Sequence, residues 1–114
     1  MTTIPGIEPK MIANNLEPYE PTHPGEVLKT EIEYRGISQR QLAGAIDVPY
    51  TWLNEVMNAK RPVNPELAML IEATLDIPAE ALLKMQVRYN LLITKRNSKF
   101  IDKLNKIRKI ASIL

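Results

Sequence analysis

The chain has 114 residues, and 45% of them are hydrophobic, which is enough to bury the core of one small domain. The absence of cysteine excludes disulfides, thiolate zinc sites and cysteine nucleophiles, and the single histidine disfavours a histidine-based metal or catalytic cluster, so no cofactor is expected. The net charge of +2 conceals an asymmetry: residues 94–114 contain seven Lys or Arg and one Asp, whereas residues 1–93 contain eight basic and twelve acidic residues.

The N-terminal segment is rich in proline. Five of the nine prolines lie in the first 24 residues, and proline removes a backbone donor and disfavours helix in the residue before it. The segment lacks the basic and apolar regions of a signal peptide, and no apolar run approaches the roughly 18 residues that span a bilayer. We predict an extended arm over residues 1–23, in a cytoplasmic protein with no membrane partner.

Residues 24–93 have the apolar spacing of a domain with five helices. The first helix is predicted over about residues 24–35, because Gly36 follows the last apolar position. The second begins after Ser38, whose hydroxyl can accept from a backbone N–H at the helix start, and Gln41 completes a capping box. The inward positions of these two helices are predicted to be Val27, Leu28, Ile32, Leu42, Ala45 and Ile46.

Three further helices follow in this domain. The segment 47–49 ends the second helix, and its proline suits the opening of a third helix over about residues 49–58. Asn64-Pro65 combines a cap residue with a proline at the first helical position and therefore begins the fourth helix. Pro78 separates that helix from a fifth over about residues 79–93. The buried faces of these helices are predicted to contain Leu53, Val56, Met57, Leu67, Leu70, Ile71, Leu75, Ala81, Leu82, Met85, Tyr89 and Leu92.

Residues 94–114 have the pattern of a basic amphipathic helix. One face contains Phe100, Leu104, Ile107, Ala111 and Leu114, and lysines surround the other face. A helix of this length is marginal in water by itself. Its apolar face is therefore expected to contact a second subunit, the body of the protein or another protein.

The second and third helices are joined by about three residues, which requires a large crossing angle and a small side chain where the helices meet. Ala43 meets that requirement, and the arrangement is a helix-turn-helix. In such a unit the second helix enters the major groove of DNA with its first turn. Here that turn contains residues suited to reading base edges and thymine methyl groups, which are Pro49, Tyr50, Thr51, Trp52 and Asn54.

Flanking residues are predicted to hold the DNA backbone. Gln39 and Arg40, at the start of the second helix, suit phosphate contacts that do not read sequence. Lys60 and Arg61, just after the third helix, would hold the strand on the other side. Glu55 allows two interpretations, because a carboxylate can accept from cytosine N4 but is repelled by phosphate.

Several other side chains receive structural interpretations. Trp52 lies one residue before Leu53, about 100° from the buried stripe of its helix, and is expected to be exposed. His23 precedes Pro-Gly and is interpreted as a turn or packing residue rather than a metal ligand. Gln86 and Tyr89 are interpreted as packing residues of the fifth helix.

The order of these segments resembles a known family. SQRQLAGAI, a turn and YTWLNEVMNAKRPVNPELAMLIEATLDI resemble the lambda-repressor-like, XRE-type helix-turn-helix proteins over about residues 24–93. HPGEVLKTEI, KRPVNPELAMLIEATL and LLKMQVRYNLL resemble the HigA branch of antitoxins, also called VapI. The resemblance implies an all-α, five-helix DNA-binding domain, here with an N-terminal arm over residues 1–23 and an additional amphipathic helix over residues 94–114.

The same resemblance implies a function without catalysis. Such a protein binds double-stranded operator DNA in its own promoter as a homodimer, and it neutralises a HigB-like toxin, which is an mRNA-cleaving ribonuclease. For residues 94–114 we favour a contact that extends the dimer or holds the toxin.

Two turn residues depart from the family pattern. Asp47 stands where glycine is usual, and aspartate tolerates the left-handed conformation better than most residues. Ala59 stands where glycine commonly follows the third helix, so Asn58 is expected to be the left-handed cap instead.

Two other functions remain open. One is an XRE-type repressor without a toxin partner. The other is a helix-turn-helix protein-interaction module that does not bind DNA, for which Glu55 and the acidic balance of residues 1–93 argue. An enzyme is disfavoured, because no nucleophile–base pair or metal set can be assembled from these residues.

Overall fold

The computed structural model describes residues 21–114, which form six α-helices and contain no strand. The helices are α1 (Pro24–Tyr34), α2 (Gln39–Ile46), α3 (Tyr50–Met57), α4 (Pro65–Leu75), α5 (Ala79–Lys95) and α6 (Ser98–Ala111). The all-α prediction is confirmed, whereas most of the predicted arm lies outside the described residues. Residues 22–91 form one compact unit, and residues 92–114 belong to a second. Within residues 21–114 no helix is long and apolar enough to cross a membrane.

Side chains satisfy backbone donors at the starts of three of the five helices in the compact unit. At α2, the Ser38 hydroxyl accepts from the Gln41 N–H at 3.0 Å, and the Gln41 Oε1 accepts from the Ser38 N–H at 2.8 Å, which is the predicted capping box. Asn64 caps α4 by accepting from a backbone N–H at 2.8 Å. His23 caps α1, because its Nδ1 accepts from a backbone N–H two residues later at 2.9 Å. The first N–H groups of a helix have no partner within the helix, so these bonds fix where each helix begins.

Left-handed residues end four of the helices. Gly36 follows α1 with φ of 71°, and Asp76 follows α4 with φ of 58°. Asp47 follows α2 with φ of 55°, as predicted from the tolerance of aspartate for this conformation.

The prediction for the end of α3 is wrong. Asn58 has φ of −101°, and Ala59 is the left-handed residue with φ of 60°. The Ala59 N–H donates to the Val56 carbonyl at 3.1 Å, and the Lys60 N–H donates to the Glu55 carbonyl at 2.8 Å. This pair of bonds forms a Schellman motif, which requires the left-handed residue one position beyond the cap even where that residue is alanine.

The core of the compact unit comes from all five of its helices. Its central residues include Leu28, Ile32, Leu42, Ala43, Leu53, Val56, Met57, Leu67, Ala68, Ile71 and Leu82. Three predicted inward positions, Ala45, Leu70 and Ala81, are exposed instead. Ala43 and Ala68, two positions before Ala45 and Leu70, are buried in α2 and α4, and α2 contacts both α3 and α4.

The start of α1 packs closely on α3. A Cβ at Gly25 would overlap the Val56 carbonyl, so only glycine fits this position. The buried His23 ring lies edge-on to Tyr89 of α5, with 4.8 Å between ring centroids. The first contact joins the start of α1 to α3, and the second joins it to α5.

Candidate nucleic-acid interface

Helices α2 and α3 form the predicted helix-turn-helix. The connecting segment contributes Val48 to the core, and Ala43 is buried at the α2 side of the crossing. Burial of Leu53, Val56 and Met57 fixes the inward face of α3. The first turn of α3 is therefore presented on the surface, where Pro49, Tyr50 and Thr51 are exposed.

Tyr50 and Arg40 link the first turns of the two helices. The Arg40 Cζ atom lies 4.3 Å from the centroid of the Tyr50 ring, which is the geometry of a cation–π contact. The Tyr50 side chain keeps 38% of its surface exposed. A positive charge and an aromatic edge are thus available together at the start of α3.

Trp52 is less exposed than expected. It is half-buried and packs against the core, and its indole Nε1 is buried without a hydrogen-bond partner among the described residues. The Arg61 Cζ atom lies 5.5 Å from the centroid of the indole ring. The turn at Ala59 brings the chain back over α3, and Arg61 therefore covers part of the ring that would otherwise face solvent.

Glu55 forms an ion pair with Arg61. The Arg61 Nε and Nη2 atoms both lie 3.1 Å from the Glu55 Oε2 atom. Both side chains are partly exposed, and such a pair contributes little to stability. Arg61 was predicted to contact a phosphate, and in this structure its guanidinium already pairs with the Glu55 carboxylate.

Asn54 is hydrogen-bonded within the protein. Its Nδ2 donates to the Gln39 Oε1 at 2.9 Å, which joins α3 to the first residue of α2. Its Oδ1 accepts from the Asn58 Nδ2 at 3.1 Å. The first contact was not predicted from the sequence, because the two residues are fifteen positions apart and meet only through the crossing of the helices.

The remaining predicted contacts are exposed. Thr51 and Lys60 make no side-chain hydrogen bond or ion pair within residues 21–114, so both are accessible to a ligand. The structure thus places the predicted reading residues and the predicted backbone contacts on one surface, formed by the first turns of α2 and α3 and the segment after α3.

Gln86 supports the segment that follows α3. It is buried on α5, and its Oε1 accepts from the Val63 N–H at 2.9 Å, while its Nε2 donates to the Asn90 Oδ1 at 3.0 Å. This agrees with its interpretation as a structural residue. Since Val63 lies two positions after Arg61, the bond fixes the position of the chain that contains Lys60 and Arg61.

A second exposed surface lies between α4 and α5. Met69, Val87 and Leu91 are 65%, 59% and 57% exposed, and with Leu83 they line an open groove of about 630 Å³. We call this the α4–α5 apolar face. Sequence periodicity did not predict it, because the sequence analysis identified only the inward positions of these two helices.

Burial lowers the pKa of the His23 imidazole below its ordinary value, and the nearby Glu26 carboxylate opposes this shift. A neutral ring is also what the cap requires, because Nδ1 accepts a hydrogen bond. His23 therefore acts in the structure of α1 and not in the interface.

Comparison with known proteins supports the family resemblance. No family model matches the chain. The chain is 33% identical over 72 residues to virulence-associated protein A′ of Dichelobacter nodosus, which covers 62% of this chain and 63% of that protein. The chain therefore spans less than two thirds of the length of that relative.

Solved structures extend the similarity to the fold. An addiction module antidote protein of the HigA family from Coxiella burnetii has a TM-score of 0.66 and 27% identity, over 74% of this chain and 94% of that chain. The Pseudomonas aeruginosa antitoxin HigA, solved with the higBA promoter, has a TM-score of 0.66 and 28% identity over the same shares. The predicted resemblance to HigA-type helix-turn-helix proteins is confirmed. Both of these solved structures are antitoxins, which agrees with the expectation of a protein without catalysis.

Proposed function

We propose that this chain, which resembles the HigA-type helix-turn-helix antitoxins in sequence and fold, is a DNA-binding antitoxin that represses its own operon. The observation that carries the proposal is the exposed first turn of α3, where Arg40 lies over the Tyr50 ring and Arg61 lies beside the Trp52 ring. A reader of DNA needs this combination, because base contacts give specificity while cations hold the phosphates.

In this proposal α3 enters the major groove. Tyr50 and Thr51 contact base edges or thymine methyl groups, and Pro49 approaches the same groove. Arg40 and Lys60 contact phosphates on the two sides of the groove. Trp52 contributes indirectly in this proposal. Its ring packs against the core and supports the Arg61 guanidinium, and it does not project toward the DNA.

The proposed oligomer is a homodimer formed through the α4–α5 apolar face. Two half-sites about one helical turn apart require two copies of α3 in a fixed arrangement. The face is apolar and exposed, and it is lined by Glu80 in the first turn of α5, by Lys84, which pairs with Glu80, and by Arg88. An antiparallel pairing of two α5 helices about a two-fold axis would place opposite charges near each other.

Neutralisation of a HigB-like toxin belongs to the same proposal and is supported by the antitoxins among the relatives. Helix α6 suits a protein contact, since none of its residues is buried and Ile107 and Ile110 are exposed on it. A toxin contact on α6 would use none of the residues that we propose contact the operator. The activity would be exercised in the cytoplasm, where the operator is found.

The experiment is a mobility shift on the DNA upstream of the gene, at roughly 50 and 200 mM salt, the range over which phosphate contacts weaken. The wild type is expected to give a specific shift that weakens at the higher salt. Tyr50→Ala with Thr51→Ala should abolish it while the thermal unfolding midpoint is retained.

The matched control for that double variant is Tyr34→Ala with Thr30→Ala, which removes an exposed tyrosine and threonine from α1. It is expected to bind like the wild type. An unchanged shift in the α3 variant would exclude α3 as the reading helix. Absence of a shift by the wild type at both salt concentrations would favour the protein-interaction module, and a shift without toxin neutralisation would favour a repressor without a toxin partner.

A further inference from the structure

We infer that Asn54 is a positioning residue for Gln39, and that the Asn54–Gln39 pair presents the amide N–H groups of Gln39 to a phosphate of the DNA. The inference rests on the proposed DNA-binding function and assigns Asn54 a role different from reading a base. Three side-chain amides carry it, and they run in order from the end of α3 to the start of α2.

The three amides form a directed series of hydrogen bonds. The Asn58 Nδ2 donates to the Asn54 Oδ1 at 3.1 Å and to the Asn54 backbone carbonyl at 2.9 Å. The Asn54 Nδ2 then donates to the Gln39 Oε1 at 2.9 Å. Each carbonyl oxygen in the series accepts and each nitrogen donates, so the orientation of the first amide sets the orientation of the last.

The series leaves Asn54 poorly suited to reading a base. Asparagine reads adenine by donating from Nδ2 and accepting at Oδ1 at the same time. Here both atoms are engaged inside the protein, and the residue is partly buried. Nδ2 keeps one hydrogen and Oδ1 one lone pair, but the two bonds fix the amide, so it can meet a base only in the orientation that Gln39 and Asn58 impose.

The same series fixes the orientation of the Gln39 side-chain amide. Its Oε1 is held by Asn54, and its Nε2 has no hydrogen-bond partner within residues 21–114. An amide nitrogen only donates, and a phosphate oxygen only accepts. The end of Gln39 that remains available therefore matches phosphate, whereas the reversed amide would offer one acceptor to another.

Fixing the amide in the free protein also favours binding. A free glutamine side chain loses rotamer freedom when it is ordered by a ligand, and this loss opposes association. Because Asn54 already holds Gln39, part of that ordering takes place when the protein folds. Loss of Asn54 is therefore expected to weaken binding even though it makes no contact with DNA.

A double-mutant cycle tests the inference, with the operator affinity of the wild type, Gln39→Ala, Asn54→Ala and the double variant measured at one salt concentration. We expect each single variant to bind about three- to tenfold more weakly, the range typical of one lost hydrogen bond. We also expect the double variant to bind like Gln39→Ala. If Asn54 read a base independently, its loss would have the same effect in both backgrounds, and the inference would be overturned.

A rescue separates positioning from a general effect on folding. Asn54→Asp can accept from Gln39 but cannot donate to it, so Gln39 would turn its carbonyl toward the phosphate and affinity should fall more than with Asn54→Ala. Adding Gln39→Arg should recover most of that loss, because a guanidinium can donate to the introduced carboxylate and to a phosphate together. No recovery, with the unfolding midpoint retained, would contradict the pairing.

Two further measurements complete the test. Asn105→Ala removes an exposed asparagine from α6 and is expected to bind the operator like the wild type. In the free protein, the side-chain amide resonance of Gln39 should shift on Asn54→Ala, whether or not DNA is bound. Failure of the wild type to bind the operator would contradict the proposed function, whereas an unshifted Gln39 resonance would contradict the pairing alone.

Discussion

Glu55 and Arg61 form an ion pair on the surface that also contains the first turn of α3, with both Arg61 Nε and Nη2 3.1 Å from the Glu55 Oε2 atom. The carboxylate is six residues before the arginine, and the left-handed turn at Ala59 brings them together. The pair places a negative charge where DNA binding requires positive charge. In the proposed complex with DNA, Glu55 would therefore compete with phosphate for Arg61.

Glu55→Gln is expected to strengthen operator binding severalfold. Without the carboxylate Arg61 can contact a phosphate, and the slope of log affinity against log salt should become steeper by about one unit. Affinity measured over a series of salt concentrations checks both effects. Glu31→Gln is the matched control, because Glu31 pairs with Arg35 on α1 and its loss should change neither quantity. Weaker binding by Glu55→Gln would instead favour contact of Glu55 with cytosine.

Ala59→Gly is expected to raise the free energy of unfolding by about 1 kcal/mol, because alanine with φ of 60° has its Cβ close to the following carbonyl, and glycine removes that contact. Urea unfolding measures the change. Ala45→Gly, at an exposed position inside α2, should lower the free energy of unfolding by about 0.5–1 kcal/mol. Equal effects of the two variants would show that strain at Ala59 is absent.

Stability is expected to fall as the pH is lowered through 6.5, the ordinary pKa of histidine. Burial lowers the pKa of His23 in the folded state, partly opposed by Glu26, so the unfolded state binds more protons between the two pKa values. The contribution of His23 to stability is thus fully present above the pKa that this residue has in the unfolded state. It is lost as the pH falls toward its pKa in the folded state.

His23→Asn provides the comparison for this pH dependence. Asparagine can cap α1 but does not titrate, so the difference in unfolding free energy between wild type and variant should change only between the two pKa values of His23. Thermal or urea unfolding at a series of pH values from about 5 to 8 measures it. A difference that stays constant with pH would rule out His23 as the titrating group.

Gln86→Leu is expected to destabilise the protein by about 1–3 kcal/mol, because the buried Val63 N–H loses its acceptor and no water can replace it without a cavity. Urea unfolding gives the change. Asn90→Ala removes the acceptor of the Gln86 Nε2 group. Because Asn90 is exposed, this variant should lower the free energy of unfolding by less. If Asn90→Ala cost as much as Gln86→Leu, the bond to Val63 would not be the main contribution.

Val87→Glu is expected to convert the proposed dimer to a monomer, because it places a carboxylate in the α4–α5 apolar face. Sedimentation velocity measures the oligomeric state, and operator affinity should fall with it. Tyr34→Glu introduces the same charge at an exposed position of α1 and should leave the dimer intact. A dimer that persists in Val87→Glu would place the interface elsewhere.

Local chemistry made the helix boundaries predictable from the sequence. The capping box of Ser38 and Gln41, the cap at Asn64 and the left-handed turn at Asp47 each depend on residues within about four positions of one another. The short link between the second and third helices likewise indicated a helix-turn-helix. Together with the sequence segments that resemble HigA-type antitoxins, these features located the candidate interface.

Contacts between helices were decided only by the tertiary structure. The Asn54–Gln39 bond, the contact of Arg61 with Trp52 and the exposure of Leu70 depend on how helices pack. A crossing angle is set by packing across the whole unit, and periodicity within one helix does not contain it. The sequence alone therefore determined which residues belong to the candidate interface, while packing determined which of them are exposed to a ligand and which hold the others in place.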